Sequence, residues 1–438
     1  MNRSNPTPKI IDVAYRFHPV GQGLFASGRI THRFDHYGWV PPAFNWVYDC
    51  GTSSSIKSCL IPELDHLWAQ HGHAHGHLDL LTLSHFDSDH TNGLAELLER
   101  FTVDTLLLPL IPLWKRLELA FSDGVNLNAD ALSFYLNPVS YLLQRYPEQI
   151  RTIVLVPPPP PEAEHHGGEL DDVRVTPLED GDLRPTAEEA LQADQQEELD
   201  QIAPPLRTRV KRLAPGAALQ LGRYWEFVPY NDMHLCPAPP LSFVAAVQQR
   251  SHHLLHGATT SIGRAVALVT LRNLYDQTFG TSGAARNKIS LFLYAGPIGN
   301  TLVTEVIPST FQRPGGVETK ANINLPFSLS SDCRLAVLYT GDGFLNSSRS
   351  VQDLLNILGP QRLTALTCLQ VPHHGARGNW AAGHAKIFSP DIAVFCSDPK
   401  RKSPGHPHTE VIDDFSEHAI VPVDKKKGAI VEGRLALV

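Results

Sequence analysis

The sequence predicts an α/β fold, because strand-like runs alternate with helical segments along both halves of the chain. Apolar runs that are rich in branched residues and bounded by turn residues predict strands, and Leu94, Leu97 and Leu98 lie on one face of a predicted helix. Potential metal ligands follow strands in both halves, which favours a single site assembled between them. The strand-like runs are IIDVAYRFHPV, NWVYDCG, LDLLTLSHF, VDTLLLPLIP, ISLFLYAG, LAVLYTGDGF, TALTCLQVPHHG and DIAVFCSD.

Composition is typical of a globular protein and limits its partners. Hydrophobic residues make up 42% of the 438 residues, which is enough to bury a core. No apolar run of about 18 residues predicts a membrane span, and the amino-terminal segment lacks the apolar stretch of a signal peptide, so we expect a cytoplasmic protein with no membrane partner. The six scattered cysteines predict reduced thiols. A net charge of −8 argues against non-specific coating of nucleic acid but allows a local basic patch.

Residues 157–212 predict an insertion within a single domain that spans 8–438. The segment opens with PPPPPE and is acidic over 162–200. Low hydrophobicity and dense like charge do not offset the entropy of ordering, so we expect much of it to be mobile, with a short helix within 190–202. It is either a surface excursion without function or a regulatory flap that a trypsin-like protease could cut. The basic cluster that would suit such a cut is Arg207, Arg209, Lys211 and Arg212.

Four potential metal ligands fall within six residues, directly after the predicted strand LDLLTLS. His85, Asp87, Asp89 and His90 form the pattern His-x-Asp-x-Asp-His, and a predicted helix follows. Carboxylates are hard donors and imidazole is a borderline donor, so the set suits Zn²⁺ or Mn²⁺. Alternating positions in a tight loop can address two metals, and such a pair activates water at neutral pH. The motif therefore predicts a site for two divalent metal ions.

This motif and several others resemble the metallo-β-lactamase superfamily, whose hallmark is His-x-His-x-Asp-His after a strand. Asp87 stands where the second histidine is usual, which is similar to the hydrolase domain of the DNA-uptake channel protein of competent bacteria and its soluble relatives. The further motifs follow that group's order over about residues 10–415, interrupted by 157–212. They are Val20-Gly21-Gln22-Gly23, Asp49 in YDCG, Asn287-Lys288-Ile289-Ser290-Leu291, Thr340-Gly341-Asp342, Val371-Pro372-His373-His374-Gly375 and Gly405-His406-Pro407-His408.

The resemblance implies an αββα sandwich with a two-metal site at one edge. Asp49 would support the site without binding metal. The superfamily supplies one further histidine to the first metal, for which this sequence offers only His165, His166 and His234 as options. The implied ligands are His85 and Asp87 for the first metal, Asp89 and His90 for the second, Asp342 as the bridge and His406 at the second metal.

The late motifs carry the expected roles in catalysis and substrate binding. His374 is the expected general acid or phosphate contact, because histidine can protonate a leaving oxygen near neutral pH. Asp89 and Asp342 would act in catalysis as metal ligands. His373 would contact substrate or support the ligands, and His408 would orient His406 or Asp342 by a hydrogen bond.

Two loops are expected to rim the site, where cations could hold phosphates and Trp380 could stack on a base. The alternative is that these charges are ordinary solvated side chains. The run 425–427 is expected to be a turn between the last two strands, and the histidine-rich stretch 71–77 an exposed loop. The rim residues are Arg377, Asn379 and Trp380 in one loop and Lys400, Arg401 and Lys402 in the other.

The resemblance implies a nuclease, that is, a phosphodiesterase in which a metal-activated hydroxide attacks the phosphorus of DNA or RNA. Two alternatives stay open. One is a small-molecule hydrolase, such as a lactonase, thioesterase or cyclic-nucleotide esterase, which a narrow apolar pocket would favour. The other is an effector nuclease of a bacterial defence system, which residues 157–212 keep closed until a regulatory partner or a protease releases it.

Overall fold

The chain folds into two large mixed β-sheets with helices packed against them. A computed structural model describes the residues in the ranges 9–33, 43–70, 76–122, 129–159, 183–200, 202–236, 238–254, 260–279, 289–298, 301–313, 317–323, 335–403 and 405–437. This architecture confirms the predicted α/β class.

The first sheet has eleven strands and combines an antiparallel part with a parallel part. Five neighbouring strands, β3, β4, β5, β6 and β9, run parallel, and the other neighbours in the sheet are antiparallel. Across the sheet the strands are β14 (Thr319–Asn322), β13 (Thr301–Gln312), β19 (Gly428–Leu437), β1 (Lys9–Phe17), β2 (Phe25–Arg33), β3 (Phe44–Cys50), β4 (Gly76–Thr82), β5 (Phe101–Pro109), β6 (Ile150–Val156), β9 (Val210–Leu213) and β8 (Glu188–Glu189).

The second sheet has eight strands, of which four neighbours, β15, β16, β17 and β18, are parallel. The remaining neighbours pair antiparallel. Across the sheet the strands are β18 (Ala419–Val423), β17 (Ile392–Cys396), β16 (Leu366–Gln370), β15 (Ala336–Tyr339), β12 (Leu291–Pro297), β11 (Trp225–Asn231), β10 (Leu219–Leu221) and β7 (Leu183–Pro185).

The helices connect the strands, and some of them start at side-chain caps. Asn137 accepts a hydrogen bond from the backbone of Ser140 at the start of one helix, and Ser347 and Ser350 form a capping box at another. The α-helices in the described ranges are α1 (Ile61–Ala69), α2 (Ser88–Thr91), α3 (Leu94–Arg100), α4 (Leu113–Ser122), α5 (Ala129–Leu136), α6 (Pro138–Arg145), α7 (Ala193–Leu199), α8 (Pro204–Arg207), α9 (Leu241–His252), α10 (Ser261–Phe279), α11 (Ser348–Thr364), α12 (His384–Phe388) and α13 (Thr409–Asp414).

Three hydrophobic clusters hold these elements together. The first lies between the sheets, where Trp46 packs against Phe227 with ring centroids 5.3 Å apart and Tyr15 packs against both Trp46 and Trp225. A second cluster joins the helices near β4–β6 to the first sheet, and a third joins α11, α12 and α13 to the second sheet. Because the sheets are covered on both sides, many of their strands are apolar on both faces.

The part of the predicted insertion that the structure describes after residue 182 contributes strands to both sheets. β7 pairs with β10, β9 pairs in parallel with β6, and α7 lies within the predicted short helix. Leu199, Ile202 and Val210 are buried in a hydrophobic cluster. The average composition of the acidic segment does not reveal these few apolar residues. Residues 160–182 lie outside the described residues.

The basic cluster at the end of this segment is engaged by its surroundings. Arg207 pairs with Asp200 at 2.7 Å, and Lys211 pairs with Glu188 at 2.8 Å. Arg209 donates hydrogen bonds to two backbone carbonyls, and Arg212 pairs with Glu189. Acids of the same segment therefore pair with Arg207, Lys211 and Arg212, three of the four cations of the suggested protease site.

A buried polar cluster fixes the chain just before the Val20–Gly23 turn. Nδ1 of His18 lies 3.0 Å from the carboxylate of Glu63, and its Nε2 lies 2.9 Å from Oγ of Ser27. Arg313 pairs with the same carboxylate. Burial lowers the pKa of His18 to about 4, so its ring is neutral near pH 7 and donates through Nδ1 to Glu63.

The carboxyl ends of parallel strands from both sheets meet at one edge. The backbone N–H of Leu291 at the start of β12 donates to the carbonyl of Ser84, in the chain that leaves β4, at 2.7 Å, which ties the two sheets together there. Loops after parallel strands collect polar side chains at such an edge. The predicted ligand motifs follow β4, β15, β16 and β17, so the topology delivers all of them to this edge.

Candidate metal centre

The loop after β4 is anchored by Asp49 at the end of β3. The backbone N–H and the Oγ–H of Ser84 both donate to the carboxylate of Asp49, at 2.7 and 2.6 Å. Asp49 is completely buried and has a φ of 55°, a conformation that most residues avoid. Three of the four non-glycine residues with positive φ in the described ranges are at this site, namely Asp49, His373 and His374.

A chain of hydrogen bonds through Asp49 sets the tautomers of two predicted ligands. Because Oγ of Ser84 donates to Asp49, it accepts a hydrogen bond from Nδ1 of His85, 2.8 Å away. Nδ1 of His90 donates to the same carboxylate at 2.8 Å. Nδ1 of both imidazoles is therefore a hydrogen-bond donor and Nε2 is the ring nitrogen left to face the other candidate ligands, which is the arrangement of histidines that bind metals.

Close backbone packing supports the ligand loop from below. A Cβ added at Gly51 would lie 2.5 Å from backbone atoms of Asp89 and His90, so only glycine allows this approach. In the Val20–Gly23 turn, a Cβ at Gly23 would lie 2.7 Å from the carbonyl oxygen of Asp89. The next residue, Leu24, donates its backbone N–H to that carbonyl at 3.2 Å.

Asp342 comes from the second sheet, in the turn after β15. The side-chain oxygen of Gln370 accepts hydrogen bonds from the backbone N–H groups of Thr340 and Gly341, both at 2.8 Å. Nδ2 of Asn379 donates to the carbonyl of Asp342 at 2.8 Å. These contacts hold the buried Asp342 carboxylate over the loop that follows β4.

The His373–His374 turn after β16 contributes two more imidazoles. Nδ1 of His374 donates to the carbonyl of Cys396 at 2.6 Å, which leaves Nε2 3.4 Å from the carboxylate of Asp89. Nδ1 of His373 lies 3.3 Å from the carboxylate of Asp342. His374 thus shows the same arrangement as His85 and His90. It is therefore a further candidate metal ligand, which the sequence did not suggest.

The structure brings the six predicted ligands together. Nε2 of His90 lies 3.1 Å from Oδ1 of Asp342, and Nε2 of His85 lies 3.9 Å from its Oδ2. The carboxylate of Asp87 is 3.6 Å from Nε2 of His85. The ring of His406 lies beside the same site, with its centroid 5.4 Å from that of His373 and 6.2 Å from that of His374. The carboxylate of Asp89 lies 3.4 Å from Nε2 of His374.

Several ligand atoms at this site are buried but make no hydrogen bond. Even the 3.1 Å contact between His90 and Asp342 lacks hydrogen-bond geometry. A buried polar atom without a partner costs roughly 1–3 kcal/mol, so five in one place need an explanation, and a bound cation supplies it. These atoms are Nε2 of His85, Nε2 of His90, Oδ1 of Asp342, Nε2 of His374 and Nδ1 of His406.

Two groups of side chains could each hold a metal ion, because their ligand atoms lie within 4.8 Å of one another. The groups are His85, His90 and Asp342, and Asp89, His90 and His374. The residues present therefore fit divalent cations. A third such group, His77, Asp79 and Asp104, lies on β4 and β5 at the start of the strands, where His77 is exposed.

The electrostatics of the site favour positive charge at its centre. Burial, followed by the charge of neighbouring histidines, lowers the pKa of His85 and of His406 to about 3, so both rings are neutral ligands near pH 7. Burial alone would raise the pKa of Asp89 and Asp342, but the surrounding histidines outweigh it and lower both, to about 2 for Asp89. The carboxylates therefore stay ionised in a buried place.

The structure contradicts the prediction that Trp380 stacks on a substrate base. Trp380 is 4% exposed, and its ring lies against Phe415, with centroids 4.9 Å apart, and against Phe388. Its Nε1–H donates to Asp414 at 2.8 Å. The indole is a buried core side chain between α12 and α13, because apolar neighbours cover its faces and a carboxylate accepts its single hydrogen bond.

The neighbouring predicted site residues lie in different places, with Arg377 at the surface, His408 half-buried and Asn379 buried. Arg377 is exposed and pairs with Glu410 at 3.3 Å, while its backbone N–H donates to Nδ1 of His408 at 3.3 Å. His408 touches His406 through its ring, with centroids 5.0 Å apart. Asn379 is buried and holds the Asp342 turn. Its role is thus to position a ligand.

The expected extra histidine for the first metal is not found among the described residues. His234 pairs with Asp353 at 3.0 Å and belongs to neither ligand group. His165 and His166 lie outside the described residues, as do Asn287 and Lys288 of the Asn-x-x-Ser-Leu motif. Sequence reasoning also missed Gln370, whose signal is a lone amide in the apolar strand β16.

Replacing Asp49 by Asn should weaken metal binding without removing a ligand. The amide keeps the shape and tolerates positive φ, but it cannot accept all the hydrogen bonds that orient Ser84 and His90. Partners of this kind are worth about 10–100-fold in metal affinity. Competition of the protein with a chromophoric chelator for Zn²⁺ measures the change, and Asp65→Asn on α1 is the matched control. Equal affinity of the Asp49 variant and the control would show that the hydrogen bonds do not tune the site.

Compared with known proteins, the sequence matches no family model, and no curated protein is significantly similar to it. Within the described residues, none of the helices has both the length and the apolar character needed to cross a membrane.

Proposed function

We propose that the protein is a metal-dependent phosphodiesterase that hydrolyses nucleic acid, with the αββα architecture of the metallo-β-lactamase superfamily. The observation that carries this proposal is the set of anchored histidines around Asp342. His85, His90 and His374 each have Nδ1 engaged and Nε2 without a hydrogen bond. Three imidazoles and buried carboxylates in this arrangement suit a hydrolytic metal centre.

The ligand set supports two divalent ions, Zn²⁺ or Mn²⁺. Borderline imidazole donors and hard carboxylate donors occur together, and Asp342, a member of one group of ligand atoms, lies 3.9 Å from Nε2 of His374 in the other. Ions held there supply Lewis-acid activation of water and of phosphoryl oxygens. The proposed ligands are His85, Asp87, Asp89, His90, Asp342 and His406, with His374 as a further donor.

His374 and His373 are the residues that can move protons at this site. The Nδ1 proton of His374 is committed to the Cys396 carbonyl, so Nε2 is the atom that binds a cation or carries a proton to a leaving oxygen. His373 is more exposed than His374, with 29% of its side chain accessible, and it contacts Asp342. A substrate that approaches the carboxylates would meet His373 first.

The test is incubation of the protein with Mn²⁺ or Zn²⁺ and end-labelled DNA and RNA, each single-stranded and double-stranded. We expect metal-dependent cleavage of at least one polymer, which stops on addition of EDTA. An Asp89→Ala, His90→Ala double variant is purified in parallel, and cleavage that persists in it would reveal a contaminant. If no polymer is cleaved while a lactone, a thioester or a cyclic nucleotide is hydrolysed, the small-molecule alternative replaces this proposal.

A further inference from the structure

A dense group of cations lies in two neighbouring loops, although the chain carries a net charge of −8. One loop follows β17, and the other is the turn between β18 and β19 that the sequence predicted for residues 425–427. We call this group the basic ridge. Its members are Lys400, Arg401, Lys402, Lys425, Lys426 and Lys427.

The parallel pairing of β17 with β18 brings the two loops together. The backbone N–H of Ser397 donates to the carbonyl of Val423 at 2.9 Å, just before the loops begin. Nζ of Lys425 then reaches across to Asp398 at 2.6 Å. Residues that are about 25 positions apart in the sequence thus form one surface.

The acids within the ridge neutralise little of its charge. The carboxylate of Asp424 accepts the backbone N–H groups of Lys426 and Lys427, at 2.7 and 2.9 Å. Asp398 is the partner of Lys425. Against these two carboxylates stand six cations, and the exposed Lys400, Lys402 and Lys426 pair with no carboxylate in the part of the chain that the structure describes.

The ridge adjoins the metal ligands through the Val20–Gly23 turn. The backbone N–H of Gly21 donates to the carbonyl of Asp424 at 3.3 Å, and the side chain of Gln22 accepts the backbone N–H of Asp398 at 3.4 Å. The other end of the turn, at Gly23, packs on the carbonyl of Asp89. The loop after β17 itself continues to His406.

We propose that the basic ridge binds the sugar-phosphate backbone of a nucleic acid strand and directs the strand to the metal ligands. Regularly spaced phosphates gain most from several unpaired ammonium groups, because each contact releases a condensed counterion. This inference rests on the proposed function, since it assigns the polymer class of that site's substrate. A single small substrate would not need six cations over two loops.

The test uses a triple variant, Lys400→Gln, Lys402→Gln, Lys426→Gln, and a charge-matched control, Arg151→Gln, Lys211→Gln, Lys320→Gln, on β6, β9 and β14. Binding of a fluorescein-labelled single-stranded DNA is measured by anisotropy in EDTA over a range of salt concentrations. We expect the ridge variant to bind on the order of 10–100-fold more weakly, with a salt slope smaller by about 2. The control should stay within about twofold of the unmodified protein. Lys426→Gln alone should lower the slope by about 0.7, which keeps the test valid if the triple variant unfolds.

Equal binding by the ridge variant and the control would overturn the proposal. It would also fall if the ridge variant lost binding to vesicles of phosphatidylcholine and phosphatidylserine but kept strand binding. Hydrolysis of bis(p-nitrophenyl) phosphate by the unmodified protein with Mn²⁺ tests the metal site without a strand. If the diester is hydrolysed but the ridge does not affect strand binding, only the ridge is refuted. If the ridge controls binding but no diester is hydrolysed, the proposed function fails and the ridge stands.

Discussion

Replacing Asp342 by Asn should lower kcat/KM for phosphodiester hydrolysis by at least about 1000-fold. The reason is that the proposed metal site loses the negative charge of its central carboxylate. The carboxylate is the common neighbour of the imidazoles at the site, from His90 at 3.1 Å to His85 at 3.9 Å. The amide keeps the volume, and the contact from Asn379 to the backbone of residue 342 is independent of the side chain. Kinetics with a nucleic acid substrate and metal content by mass spectrometry measure the two effects together.

The matched control for this change is Asp353→Asn on α11, which removes a carboxylate that pairs with His234 outside the site. We expect this control to keep full metal content and activity. Retention of two equivalents of metal by the Asp342 variant, with unchanged kcat/KM, would mean that the carboxylate bridges nothing. Near-ultraviolet circular dichroism of both variants separates a folding defect from a loss of metal.

Replacing Glu63 by Gln should destabilise the fold by about 3 kcal/mol near pH 7. Burial raises the pKa of Glu63, but the hydrogen bond from His18 and the pairing with Arg313 outweigh it and lower the pKa from 4.5 to about 2. Each unit by which folding lowers the pKa of a carboxyl contributes about 1.4 kcal/mol to stability at neutral pH. Glu318 pairs with Arg313 at 3.1 Å and with Arg16 at 2.6 Å, which completes the charged surroundings.

The destabilisation should depend on pH in a defined direction. The folded state holds the Glu63 carboxyl ionised more strongly than the unfolded chain does, so its contribution is complete above about pH 4.5 and is lost as the pH falls towards 2. Urea unfolding of both proteins at several pH values should therefore show a difference that shrinks on acidification. Glu96→Gln on α3, which removes a partly exposed ion pair with Arg100, should cost under about 1 kcal/mol. A constant difference at all pH values would show that Glu63 acts through packing alone.

The ligand chemistry was readable from the sequence because it depends on residue type and local spacing. His85, Asp87, Asp89 and His90 lie within six residues after an apolar strand. The same holds for Leu94, Leu97 and Leu98, whose spacing predicted the helix that the structure shows as α3.

Contacts between distant residues were not readable from the sequence. Trp380 looked like a rim residue because its loop follows a ligand motif, yet the packing of Phe415 and Phe388 against it decides that it is buried. Residues 183–200 and 202–212 belong to a segment whose average composition is acidic, yet a few of their apolar side chains are buried in the core. Neither outcome can be predicted from the adjacent residues in the sequence.

The sequence by itself indicated six candidate metal ligands and the alternation of strands and helices. Only the tertiary structure decided how those atoms are presented, since Asp49, Ser84 and the carbonyl of Cys396 fix the tautomers of three imidazoles. It also decided that two lysine-rich loops form one surface beside the ligands. The physical reason is that periodicity and donor type are local properties, whereas burial, tautomer and field depend on which distant groups the fold brings within a few ångströms.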